Sequence, residues 1–225
     1  MQRLFLLALS LLALGLLTSC FALQETEESS GQVAVPTVAA AVTTADDTAR
    51  IYTIDPEQSA ARFIINEVLN NNDTVVTGVT NNIGGQIALD LGNPTTAELG
   101  QILINARDIA TDNQFRNRAI GNEILQTGAY EFITFTPTEL IGLPATAEIG
   151  QTYSFQINGD LTITDQTRPV TFEATVTPTS ATALSGMATT TILYADFGLT
   201  IPFARSVQSV EDTVVLELEF VAVGE

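Results

Sequence analysis

The residue types that perform most enzyme chemistry are scarce in this chain of 225 residues. It has no His and no Lys, so the commonest general base and the usual amine nucleophile are both missing. Asp and Glu number 26, but no spacing marks a carboxylate pair, and the many hydroxyl groups have no His or Lys to activate them. A single Cys excludes an internal disulfide and any metal site built from several Cys. We therefore expect no catalytic residue, no metal and no cofactor.

The single thiol, Cys20, has a different chemistry available to it. It follows Arg3 and a largely apolar run over residues 4–17, which is shorter than the ~20 residues that span a bilayer but typical of a secretory signal. The sequence Leu17-Thr18-Ser19-Cys20 is similar to the bacterial lipobox, in which the Cys is lipidated and becomes the new N-terminus. The alternative is an ordinary signal peptide with a chance Cys. We predict a lipoprotein signal peptide over residues 1–20, with Cys20 as the lipidation site. The protein is then extracytoplasmic and membrane-anchored, on the periplasmic side or at the cell surface.

The chain is strongly acidic. Its 8 basic residues, all of them Arg, stand against 26 acidic residues, which makes a formal net charge of −18 at pH 7. Such a surface repels nucleic acid, so we expect no nucleic-acid partner and a membrane contact only through the N-terminal lipid anchor. Residues 21–50 are rich in Glu, Ala, Thr and Val and show no clear helical or strand period. We interpret them as a flexible tether.

The folded domain is predicted to occupy residues 51–225, and its clearest element is a β-hairpin. Apolar and polar residues alternate from Ile157 to Ile163 and again from Val170 to Val176, a period of two that gives each strand one apolar face. We place the connection at residues 165–169, because Asp suits a turn and Pro suits the start of a strand. Eight or more such strands at short spacing are typical of an antiparallel barrel or sandwich.

One interval of the domain, residues 111–130, has no strand pattern. Thr111 and Gln114 have the spacing of a capping box, and Phe115, Ala119 and Ile120 share one helical face. We predict a short helical insert, which in a barrel would plug one end and cover apolar surface.

Six segments of the domain resemble the YceI family, in the family's order. They are Y-x-I-D from Tyr52, S-x-x-x-F from Ser59, T-D-N-x-x-R-N from Thr111, Y-E-F-I-T-F from Tyr130, G-D-L-T-I-T-D-Q-T-R-P-V from Gly159 and D-F-G-L-T-I-P from Asp196. The resemblance implies an all-β fold, an eight-stranded antiparallel lipocalin-like barrel with a short helical insert. In characterised members the interior holds a long polyisoprenoid or similar amphiphile. The resemblance also implies an extracytoplasmic location and no established catalytic residues.

Inward-facing residues of such a barrel would line the binding site. The candidates are Phe63, Ile65, Phe135, Phe155, Ile157, Leu161, Phe172, Phe197 and Leu199. For any one of them, simple core packing is the alternative. Arg116 and Arg118, the only close basic pair, could meet a phosphate or a quinone oxygen at the mouth, or could instead form salt bridges to Asp112 or Glu123.

The sequence therefore predicts a lipid-anchored extracytoplasmic protein that sequesters or carries a long apolar amphiphile, an isoprenoid or another lipid-like ligand. The rival hypothesis is a surface lipoprotein with a filled core that acts as a structural or adhesive module. Co-purifying lipid would favour the first, and a dry, filled core the second. The sequence leaves open the identity of the ligand, its donor and acceptor, and whether the protein is a monomer or a homodimer.

Overall fold

The computed structural model of the chain describes residues 48–224. The predicted signal peptide, the predicted lipidation site Cys20 and the tether up to residue 47 lie outside the described residues. Between residues 48 and 224, no helix is long and apolar enough to cross a membrane.

Strands dominate the described part of the chain. In order they are β1 Arg50–Ile54, β2 Ala60–Leu69, β3 Asn72–Thr80, β4 Ile83–Gly84, β5 Gln86–Leu89, β6 Glu98–Leu99, β7 Ile102–Asn105, β8 Phe132–Ile141, β9 Tyr153–Ile163, β10 Gln166–Ser180, β11 Ala183–Leu193, β12 Val207–Val210 and β13 Thr213–Gly224. The α-helix α1, Gln114–Ala119, is continued by a π-helical turn, Ile120–Ile124. Short 3₁₀ turns complete the described elements, among them Tyr194–Phe197 after β11.

All strands belong to one antiparallel sheet that curls back on itself. Strands β7, β8, β9, β10, β11, β13, β2 and β3 are neighbours in that order, and β4 pairs with β7 on the far side from β8. Only residues 81–82 separate β3 from β4, so the segment that pairs with β2 runs on directly to pair with β7. The sheet is thereby bent around an interior, which the apolar faces of its strands line.

This arrangement confirms the predicted fold class, an all-β, antiparallel, lipocalin-like sheet with a short helical insert. The number of strands differs, because thirteen segments occur instead of eight. Residues 72–89 change partner from β2 to β7 to β1 and so form three strands, while β13 pairs with β2 along its middle and with β1 at its end. Strands in a twisted, strongly curved sheet diverge from their neighbours along their length, and such changes of partner follow.

Strands β9 and β10 form the predicted hairpin, and their faces are as predicted. Leu161 and Phe172 are buried, at 2% and 9% exposure, whereas their neighbours Asp160 and Thr171 are exposed. Alternate residues of a strand lie on opposite sides of the sheet, so the local pattern was sufficient to assign both faces.

The predicted position of the hairpin turn is wrong. Ile163 pairs with Gln166, so the connection is only Thr164 and Asp165, and Thr164 takes the positive φ of 55°. Pro169 lies inside β10 instead of before it. The strand tolerates a residue without an N–H there because the pairing of β10 with β11 begins only beyond it, at residue 173.

The predicted helical insert is present, but its cap differs from the prediction. Asn113 caps α1, since its Oδ1 accepts hydrogen bonds from the backbone N–H groups of Phe115 and Arg116 at 2.8 and 3.2 Å. Thr111 instead donates from its N–H and its hydroxyl to Oδ1 of Asn117. Phe115 is 77% exposed and does not share a buried face with Ile120, because the helix is too short to carry a continuous apolar stripe.

A buried polar cluster fixes the base of this insert. The side chain of Asn105, at the end of β7, is fully buried and donates to Oε1 of Glu131 at 2.9 Å. Arg107 Nη1 lies 3.2 Å from Oε2 of Glu131, and its Nε donates to the carbonyl oxygen of Thr127 at 2.8 Å. The cluster therefore connects β7, the end of the insert and the start of β8. It holds the insert against one end of the curled sheet.

Candidate ligand-binding cavity

The inner face of the curled sheet lines a cavity of about 320 Å³. Its wall consists largely of aliphatic and aromatic side chains from the inner face of the sheet, and the helical insert contributes Arg116, Ile120 and Ile124. Small-molecule pockets in proteins measure ~300–1,000 Å³, so this volume lies at the lower end of that range. The interior of the sheet is thus not filled by its own side chains.

Most of the predicted apolar site residues lie in the wall of this cavity. They are Phe63, Ile65, Phe135, Phe155, Ile157, Leu161, Phe172 and Leu199. Phe197 is 2% exposed but does not line the cavity. It belongs to the 3₁₀ turn after β11, where the strand alternation that suggested an inward position no longer applies. Contact of the other residues with a ligand remains a prediction.

Three phenylalanine rings lie against the inner wall, each covering a glycine of the adjacent strand. The pairs are Phe63 over Gly78, Phe135 over Gly159 and Phe220 over Gly186. A Cβ on Gly78 would stand only 2.0 Å from Cε1 of Phe63, so a side chain there would displace the ring. Because carbon atoms normally approach to ~3.5–4.0 Å, each glycine leaves room for a ring to lie flat along the wall. Rings held in this way occupy less of the cavity.

One end of the cavity carries an ion pair in a wall that is otherwise largely apolar. Glu67, near the end of β2, faces inward with a side chain only 9% exposed, and its Oε1 lies 2.8 Å from Nη2 of Arg116. Nη1 of Arg116 lies 2.6 Å from Oδ1 of Asp112, whose side chain is 89% exposed. Arg116 thus forms the salt bridge to Asp112 that was one of the two alternatives, and a second to Glu67. Arg116 and Glu67 therefore form an ion pair that faces the cavity.

The two arginines of the predicted basic pair are not brought together at this end. Arg116 lines the cavity, whereas Arg118 does not and is exposed. The guanidinium of Arg118 lies 5.0 Å from the ring centroid of Phe115, within the range of a cation–π contact. Residues two positions apart on a helix point in different directions, and this separates the guanidinium groups of Arg116 and Arg118.

Glu67 and the three glycines were not among the predicted site residues. The signal for Glu67 was present, because it continues the inward series of Ala61, Phe63 and Ile65 at a spacing of two. The glycines gave no such signal. Their role depends on a ring from the neighbouring strand, and the sequence of one strand does not show which side chains of the next strand pack against it.

Tyr52, the first residue of the Y-x-I-D segment, supports the wall from β1. Its side chain is 1% exposed, and its hydroxyl donates to the carbonyl oxygen of Ala181 at 3.0 Å, in the turn between β10 and β11. Burial raises the pKa of the Tyr52 phenol, so the group stays protonated and keeps donating. Asp90, at the surface, has its pKa lowered because its carboxylate accepts a hydrogen bond from Thr48.

Fold and cavity together place this chain among the lipocalin-like proteins, in which an antiparallel sheet curls around an apolar interior. Within residues 48–224, no group of three or more His, Cys, Asp or Glu side chains is placed to hold a metal ion. The arrangement can exclude water from a long apolar molecule, and it offers one ion pair to a polar group at the end of that molecule.

The chain belongs to the YceI-like family, since the model of the YceI-like domain matches residues 52–222. The fold is also that of solved structures with low sequence identity. A polyisoprenoid binding domain from Saccharophagus degradans, implicated in plant cell wall breakdown, has a TM-score of 0.61 and 16% identity, with 77% of this chain and 98% of that chain covered. BcnA from Burkholderia cenocepacia has a TM-score of 0.61 and 18% identity, covering 76% and 99%. A YCEI protein from Campylobacter jejuni has a TM-score of 0.51 and 17% identity, covering 64% and 81%. The sequence matches no curated protein.

Proposed function

We propose that this protein binds the chain of an isoprenoid or similar lipid-like amphiphile in its cavity and sequesters or carries it outside the cytoplasm. The observation that carries the proposal is an apolar cavity of about 320 Å³ inside the curled sheet. The polyisoprenoid binding domain from Saccharophagus degradans, which shares the fold, points to the same ligand class. The filled-core alternative expects no such space.

The energy of such binding comes from the hydrocarbon. Each buried CH₂ group contributes ~0.8 kcal/mol, so several isoprene units can hold a ligand without strong polar contacts. We propose binding and no catalysis, in keeping with a chain that has neither His nor Lys.

The proposal includes the N-terminal segment. We propose that Cys20 carries the lipid anchor and that the segment between Cys20 and the folded domain lets the domain move relative to the membrane. The support is the sequence alone, in which a short apolar run precedes the only Cys of the chain. A domain tethered in this way could take up a lipid from the membrane that holds its anchor.

Mass spectrometry of an organic extract from the natively purified protein tests the proposal. We expect a long-chain lipid at a stoichiometry near one per chain. Titration of the delipidated protein with a fluorescent prenol then tests the location. Leu161→Trp fills the cavity from β9 and should abolish binding, whereas Asp160→Trp adds the same ring to the exposed face of that strand and should not. Equal binding by both variants, each shown to be folded by its circular dichroism, would place the ligand outside the sheet.

A further inference from the structure

The charged side chains along the cavity carry an inference about which headgroup the protein accepts. Two of the four charged residues along the wall, Arg62 and Glu217, are paired across β2 and β13 on the outer face of the sheet, and Arg62 bonds to exposed Glu219. The other two, Glu67 and Arg116, face each other at the inner end. A ligand headgroup in the cavity therefore meets the Glu67–Arg116 pair.

This pair is not a bare cationic site. Both terminal nitrogens of Arg116 already contact carboxylates, one on Glu67 and one on Asp112. One guanidinium with two carboxylates leaves a local formal charge of −1. Arg118 does not offset it, because its guanidinium stacks on Phe115 outside the cavity.

A phosphate and a hydroxyl would experience this end very differently. A phosphate oxygen that approached Arg116 would come within a few ångströms of the Glu67 carboxylate, and two negative charges in a largely buried position repel strongly. A hydroxyl carries no charge and can donate a hydrogen bond. Within residues 48–224, Oε2 of Glu67 accepts no hydrogen bond, so it is available to such a donor.

We propose that the Glu67–Arg116 pair makes the cavity selective for an uncharged, hydroxyl-terminated chain and against its phosphorylated form. This inference rests on the proposed binding of an isoprenoid-like chain. It assigns Glu67 as the residue that rejects the phosphate, and it assigns Arg116 to holding the Glu67 carboxylate in place. The chemical class of ligand is thereby narrowed from any prenyl compound to a prenol or a similar lipid alcohol.

The test is a titration of the delipidated protein with a fluorescent farnesol analogue and with its monophosphate. We expect the wild-type protein to bind the alcohol more tightly than the phosphate. Glu67→Gln removes the repelling charge and should strengthen phosphate binding by roughly ten- to hundredfold, as for one interaction with a charged group, with a much smaller change for the alcohol. Glu219→Gln is the matched control, because it removes one negative charge from the outer face and leaves the cavity unchanged.

The outcomes are distinguishable. Wild-type protein that binds the phosphate as tightly as the alcohol overturns the selectivity and leaves the proposed function standing. An equal gain in phosphate binding from Glu67→Gln and Glu219→Gln would show that net charge alone is responsible and would also overturn it. Binding of neither compound overturns the proposed function and the inference together. Should Glu67→Gln fail to fold, Asp112→Asn removes the exposed carboxylate on Arg116 and should shift the preference in the same direction by a smaller factor.

Discussion

Substitution of Gly78 by Ala tests how the cavity is kept open. A methyl group at this position would stand 2.0, 2.5 and 2.7 Å from three atoms of the Phe63 ring, and its three nearest neighbours all belong to that ring. Since carbon atoms pack at ~3.5–4.0 Å, the ring must move by about 1.5 Å. Phe63 lines the cavity, so the ring can move into it. We expect weaker binding of a prenol together with a loss of stability.

The size of the stability change follows from two opposing terms. Overpacking in a tight interior costs ~1–3 kcal/mol. Replacing Gly by Ala also restricts the unfolded chain, which stabilises the folded state by ~0.4–1 kcal/mol. Gly121→Ala is the matched control, because its Cβ would meet only Thr127 Oγ1, at 3.5 Å, and so carries the second term alone. The two variants should therefore differ in free energy of unfolding by roughly 1–3 kcal/mol, with Gly78→Ala the less stable.

Urea denaturation of the two variants measures that difference, and prenol titration measures the effect on the cavity. The double variant Gly78→Ala with Phe63→Leu removes the ring that the methyl group meets, so the two substitutions should be strongly non-additive and the double variant should recover stability. Additive losses, or prenol binding by Gly78→Ala equal to that of wild type, would refute the idea that Gly78 holds the Phe63 ring against the wall.

Three further predictions concern the anchor, the hairpin and β1. Cys20→Ser should move the protein from the membrane to the soluble fraction. If the Cys20→Ser variant still sediments with membranes after a high-salt wash, the lipid anchor is excluded. Phe172→Ala should cost ~3–5 kcal/mol in chemical denaturation and Thr171→Ala far less, because only the phenyl ring is buried; equal losses would contradict the assigned faces. Tyr52→Phe removes the hydrogen bond to Ala181 and should cost ~0.5–1.5 kcal/mol near neutral pH. Because the pKa of Tyr52 is raised in the folded protein, its contribution should decline as the pH rises above the ordinary tyrosine value of about 10, and the gap between wild type and Tyr52→Phe should narrow there.

The sequence by itself determined which faces of the strands are apolar. Alternation with a period of two is a property of the extended backbone, so it assigned Leu161 and Phe172 to the interior without knowledge of any partner strand. The same alternation along β2 also places Glu67 on the inner face, two positions after Ile65, although we had applied it only to apolar residues. Phe197 is also buried, at 2% exposure, but it does not line the cavity, because it lies in a 3₁₀ turn where the alternation ends.

Local signals also located the helical insert and the hairpin, but not their details. Several residues near the start of α1 can cap a helix, and the choice of Asn113 over Thr111 depends on where the chain enters the turn. Similarly, Pro169 indicated the end of a turn, whereas the open edge beside it in β10 allows it inside a strand. In both cases the deciding fact is the position of a neighbouring segment, which residue types do not encode locally.

Only the tertiary structure decided that the interior contains a cavity and which charged residues line it. The space depends on the curl of the whole sheet and on rings such as Phe63 lying over glycines of the next strand. The ion pair joins Glu67 and Arg116, which are 49 positions apart and belong to a strand and a helix. Two basic residues close in sequence suggested a phosphate site. The fold brings the Glu67 carboxylate to Arg116 and turns Arg118 outward. The local backbone sets the direction in which a side chain points, whereas the packing of distant segments decides which partner it meets.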